Sequence, residues 1–111
     1  YCAICHCANC RRRTGSAFGM SAYFSKAQVI QTTGPLTRYA FHHPAQDHDQ
    51  ERFFCARCGT TLYWLISTQP DLIGIAGGCF TDPPLDAPQR SHSHSQKLPW
   101  VLLPADLACQ G

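Results

Sequence analysis

Four cysteines stand within the first ten residues, in C-A-I-C-H-C-A-N-C, and two more close a C-A-R-C-G knuckle at Cys55, Cys58 and Gly59. This spacing constrains the fold more than any other feature of the chain. Disulfides need particular Cα separations and Cβ directions, and cysteines one residue apart have little room to bridge. Cys-x-Cys and Cys-x-x-Cys instead let thiolates converge on one ion, with zinc favoured by soft sulfur donors and iron allowed on the same grounds. In the knuckle, Gly59 can take a positive φ, which frees backbone N–H groups to point at the sulfurs. Between Cys10 and Cys55 lie 44 residues (11–54), wider than an ordinary zinc ribbon and enough for several strands.

Cys5, Cys7 and Cys10 make three ligands, and three protein ligands with an open fourth position are the pattern of a catalytic zinc, whereas four close the site. Cys2 is at chelating distance from Cys5 and is either a fourth ligand or a strand residue beside the site. Cys79 follows two glycines and reads as a core thiol, and Cys109 as an unconstrained one. His6, between two candidate ligands, reads as an exposed imidazole or one that supports the ligands from outside, in preference to a ligand itself. His92 and His94 alternate in S-H-S-H-S and share a face if that stretch is extended. There they would line the site or lend acid–base help, or be plain loop residues. His42, His43 and His48 read as surface-loop residues.

The rest of the chain reads as all-β, a single zinc-binding domain over 1–111. Strand candidates are 17–24, 29–32, 36–41, 52–55, 58–66 and 71–80, with a final strand or coil at 100–103. The segments 42–50 and 81–99 read as loops, and no long capped helical period is present. Trp64 and Trp100 are expected in the core or the wall of a site. With 44% apolar and 14% charged residues the chain is globular rather than disordered. A net charge of +2 is too small for a general nucleic-acid footprint, although Arg11-Arg12-Arg13 is a local basic spot. No apolar run reaches ~18 residues, so no membrane partner is expected, and no signal peptide is visible. Metal-bound cysteines imply a reducing compartment, hence a cytoplasmic protein.

Taken in order, C-H-C-A-N-C-R-R-R-T-G-S-A-F-G (5–19), F-F-C-A-R-C-G-T-T-L-Y-W (53–64), I-G-I-A-G-G-C-F-T-D-P (73–83) and H-S-H-S-Q-K-L-P-W (92–100) resemble the glutathione-dependent formaldehyde-activating enzymes, a zinc family that includes the centromere protein V-like domains. The resemblance implies small antiparallel sheets in a zinc-stapled β-tent with one or two zinc ions per chain. Cys5, Cys7 and Cys10 would hold an exchangeable zinc, and Cys55 and Cys58 half of a structural one. The implied activity is carbon–sulfur lyase chemistry on an adduct such as S-hydroxymethylglutathione, made from glutathione and formaldehyde, with Arg11, Arg12 and Arg13 available to the glutathione carboxylates.

The family's first C-x-C lies on a strand upstream of the C-H-C segment, and the sequence here begins at Tyr1. The resemblance therefore implies either an upstream segment or a rebuilt site. Rebuilding would draw on Cys2, on one centre merged with Cys5, Cys7 and Cys10, or on a neighbouring chain, and a free edge there would also allow a homodimer. Against the enzyme stands a zinc-stapled structural or interaction module with no open site.

Overall fold

The computed structural model describes residues 1–111. It is mostly β: strands β1 (Cys2–Cys5), β2 (Gly19–Ser25), β3 (Leu36–His42), β4 (Asp49–Cys55), β5 (Thr61–Ile66), β6 (Leu72–Ala76), β7 (Arg90–His92) and β8 (Ala108–Gln110), with one short helix, α1 (Ala8–Thr14). No helix is long and apolar enough to cross a membrane. The chain divides into two compact units, one of residues Tyr1–Ala22 with Ala76–Gly111, the other of Tyr23–Ile75.

In the unit of residues 23–75, β3, β4, β5 and β6 follow one another as an antiparallel meander. Aromatic and β-branched residues make these strands because such side chains pack well on a pleated surface. Phe53 stands opposite Tyr63 and stacks on it at 4.7 Å between centroids. Trp64, only 4% exposed, occupies the core as expected. The expected strand at 29–32 does not form, and its Ile30 is 98% exposed. An apolar alternation becomes a strand only where a neighbour completes its hydrogen bonds, and here none does. The loop expected at 42–50 is shorter, because β3 runs to His42 and β4 starts at Asp49, its cross-strand partner. Nor is His43 a surface residue: it is buried, and its Nδ1 accepts from the backbone N–H groups of Ala45 and Gln46 at 3.1 Å each.

In the other unit, β1 pairs antiparallel with β2 (Ile4 opposite Met20) and parallel with β7 (Ile4 opposite Ser91), and β7 pairs parallel with β8. Antiparallel pairing is thus joined by parallel additions at one edge. Ala3, Ile4, Ala17, Ala22, Ala76, Val101 and Leu107 are buried. The segment 81–99 is not all loop, since residues 90–92 add to the edge of β1. At 100–103 the chain is coil, and the last strand lies further on, at Ala108–Gln110. Trp100 is 70% exposed rather than in a core or wall, and Cys79 is exposed rather than a core thiol.

The helix α1 departs furthest from the sequence expectation. Its seven residues are too few for a visible helical period, yet both ends are capped. Cys7 is the N-cap, its Sγ accepting from the Cys10 N–H at 3.3 Å, and Gly15 closes the C-terminus at φ 63°. A glycine in the left-handed region is the usual stop for a helix.

Candidate metal centre

Strand β1 ends at Cys5, the chain turns through His6, and α1 begins after its cap Cys7, with Cys10 one turn into the helix. This strand-to-helix junction brings the Sγ atoms of Cys5, Cys7 and Cys10 within 4.8 Å of one another. Cys2 is outside the group. Three positions before Cys5 on the same strand, it projects from the opposite face.

The donor chemistry fits zinc. Thiolates around a tetrahedral zinc lie about 3.8 Å apart, given Zn–S bonds of about 2.3 Å, and these sulfurs, all within 4.8 Å of one another, are close enough to share one ion. Cys10 is pushed far above the ordinary thiol range by hydrogen bonding to the sulfurs of Cys5 and then Cys7, and further by burial. Cys5 is drawn down by its hydrogen bond with Cys10, but Cys7 and burial carry it upward on balance. Cys5 and Cys10 therefore hold their protons unless a cation takes their place.

The surroundings are polar and ordered. The N–H donated to Cys7 Sγ comes from the helix itself, and Cys5 Sγ lies 3.9 Å from Ser93 Oγ. His6 is neither exposed nor on a free face. It is wholly buried, edge-on to Phe18, with Nε2 3.0 Å from Ser91 Oγ. Burial first, then repulsion from His94 whenever it is protonated and from Lys97 and Arg11, holds His6 below the ordinary imidazole range. Ser91 Oγ also lies 2.9 Å from His94 Nδ1.

His92 and His94 do not share a face. Ser93 takes φ 50°, and His94 begins a turn of 3-10 helix. His92 instead stacks on Tyr1 at 6.5 Å, its pKa lowered by burial and by Arg90. Ser91 and Ser93 went unnoticed in the sequence. They lie more than 80 residues from His6 and Cys5, which they respectively approach, and only the quoted S-H-S-H-S run marks them.

The three arginines separate. Arg11 and Arg12 line a shallow depression with Ala8, Gly15 and Ser16. Arg13 instead runs across the bare Cα of Gly19, where a β-carbon would strike its guanidinium.

In the unit of residues 23–75, Cys55 and Cys58 form the expected knuckle. The Arg57 N–H donates to Cys55 Sγ at 3.4 Å, Gly59 N–H to Cys55 O at 2.8 Å, and Gly59 sits at φ 78°. Cys58 is exposed, 3.2 Å from Thr60 Oγ1, and its pKa is lowered by that contact first. Cys55 and Cys58 keep the Cys-x-x-Cys sequence spacing, but they fall in no group of three or more candidate metal ligands.

A protein-family profile described as Glutathione-dependent formaldehyde-activating enzyme matches residues 1–96. A search of curated proteins gave no match.

Proposed function

The chain belongs to the glutathione-dependent formaldehyde-activating enzyme family, and from that premise we propose that it makes and breaks the carbon–sulfur bond of a thiol–aldehyde adduct, with S-hydroxymethylglutathione as the leading substrate. The observation that carries this reading is the convergence of three cysteine sulfurs, and only three, at the β1–α1 junction. Bound there, zinc would leave a position for a thiol and lower its pKa, so that sulfur arrives as the nucleophile an aldehyde carbon needs.

The chemistry balances simply. In the condensing direction the sulfur lone pair forms the C–S bond, the carbonyl π pair moves to oxygen, and that oxygen takes up the proton the thiol gave up. The lyase direction reverses each event. Arg11 and Arg12 border a depression on α1, where guanidinium groups suit the two carboxylates of a glutathione-like thiol. All eight cysteines are free thiols, which suits a reducing compartment such as the cytoplasm.

The test pairs zinc-edge X-ray absorption with NMR exchange between free glutathione, formaldehyde and their adduct. Zinc bound by three protein sulfurs plus an exchangeable ligand, with exchange faster than in buffer, is expected. Exchange no faster than buffer, with four protein sulfurs around each zinc, would favour the zinc-stapled module and sink the lyase.

A further inference from the structure

Ser91 and His6 are both completely buried, one from β7 and the other from the turn between Cys5 and Cys7. The register that sets Ile4 opposite Ser91, and the hydrogen bond from His6 N–H to His92 O at 3.1 Å, hold the two elements together. The Ser91 hydroxyl thereby lies between two imidazoles, 3.0 Å from His6 Nε2 and 2.9 Å from His94 Nδ1.

A hydroxyl has one proton to donate and lone pairs with which to accept. Ser91 Oγ meets these two nitrogens and no third partner, so its proton must go to one of the two neutral imidazoles, and the other donates to its lone pair. The second nitrogen of His6 decides which. His6 Nδ1 is buried and meets no hydrogen-bond partner. A proton on Nδ1 would make it an orphaned N–H in the interior, the arrangement folded chains avoid most strictly, whereas a proton on Nε2 leaves only a lone pair there. His6 Nε2–H therefore donates to Ser91, Ser91 donates to His94 Nδ1, and His94 carries its N–H on Nε2.

We propose that Ser91 is a positioning residue that locks His6 and His94 into this pair of tautomers, so that half-buried His94 offers its Nε2–H to the oxygen of the thiol–aldehyde adduct. The neighbouring Ser93, 3.9 Å from Cys5 Sγ, puts this turn at the rim of the three-cysteine centre. The catalytic use of His94 rests on the proposed function; the tautomer lock does not. No net proton transfer is required, since a hydrogen bond to the adduct oxygen is enough to stabilise charge that builds there.

Long-range 1H–15N correlation spectra of the zinc-loaded chain read the protonated nitrogen of each histidine directly. Both His6 and His94 are expected to carry hydrogen on Nε2, with Nδ1 bare. In Ser91→Ala the His94 ring should relax toward a mixture of tautomers, while Ser91→Thr keeps the wild-type pattern. Adduct turnover should follow, with kcat down roughly tenfold in Ser91→Ala, KM within about twofold, and recovery in Ser91→Thr. A proton on Nδ1 of either ring in the wild type overturns the lock, as does a Ser91→Ala variant with unchanged tautomers. Wild-type turnover no faster than buffer overturns the catalytic use of His94 together with the proposed function, and the spectra then decide the lock alone.

Discussion

Trp64 stands opposite Gly74 in the β5–β6 pair, and its indole fills the space that a β-carbon at position 74 would occupy. The same Nε1 edge of the ring donates to the Tyr23 hydroxyl at 3.4 Å, and Tyr23 packs edge-on at 6.5 Å. Moving the indole to admit a β-carbon would disturb that bond. Gly74→Ala is therefore an overpacking change, expected to destabilise the fold by about 1–3 kcal/mol in denaturant unfolding. Gly78→Ala is the control, because nothing lies within 4 Å of a β-carbon built there; it should stay within about 0.5 kcal/mol of wild type.

Replacing one sulfur of the β1–α1 junction should cost metal, not merely rate. Cys10→Ser is expected to lower zinc affinity by more than the roughly 10–100-fold that losing an outer-shell partner costs. Cys109→Ser removes an exposed thiol whose sulfur lies 3.4 Å from the Leu107 carbonyl, away from the centre, and should leave zinc content unchanged. Metal analysis after dialysis against a graded chelator checks both. Equal zinc retention in the two variants would remove the junction as the metal site.

The arginine triplet should divide by role. Arg12→Ala is expected to raise KM for the glutathione adduct about tenfold, the rough equivalent of losing one charge-assisted contact of ~1.4 kcal/mol, while thermal stability holds. Arg13→Ala should instead lower the melting temperature, because its side chain lies over Gly19 beside Cys10. Steady-state kinetics and thermal melts on both variants separate the two. Identical profiles would mean that the triplet acts only as a diffuse basic face.

One histidine away from the centre gives a pH signature with a definite sign. The His42 pKa is raised, first by its hydrogen bond with Asp49 at 2.8 Å, then by the charges of Asp49 and Asp47. A raised folded-state value means that the interaction favours the fold below the ordinary histidine range. That contribution is lost as pH climbs through the raised value. His42 is exposed, so solvent screening keeps the contribution small. In an NMR titration Asp49→Asn should bring His42 back toward the ordinary histidine pKa. An unchanged titration would show that the pairing does not persist in solution.

The two knuckles show how much of the centre was legible before any fold was known. Cysteine spacing is a local property, so Cys5, Cys7 and Cys10 could be grouped by counting residues, and the positive φ of Gly59 followed from its place after Cys58. The β class was legible for the same reason, since alternation over 36–41 and the β-branched and aromatic content of 58–66 are local signals too. The short helix was not, because seven residues carry too little periodicity and its N-cap is a cysteine, read from sequence only as a ligand.

What tertiary structure alone decided is everything that depends on which segments become neighbours. Residues 29–32 and 90–92 illustrate it: the more strand-like of the two stays coil, and the less strand-like pairs with β1, because a strand exists only where a partner completes its hydrogen bonds. The same pairing carried Ser91 and His94 across some 85 residues of sequence to His6. The sequence by itself determined which atoms could bind a metal. Only the fold determined that a buried hydroxyl, with a single proton to give, would stand between two histidines beside them.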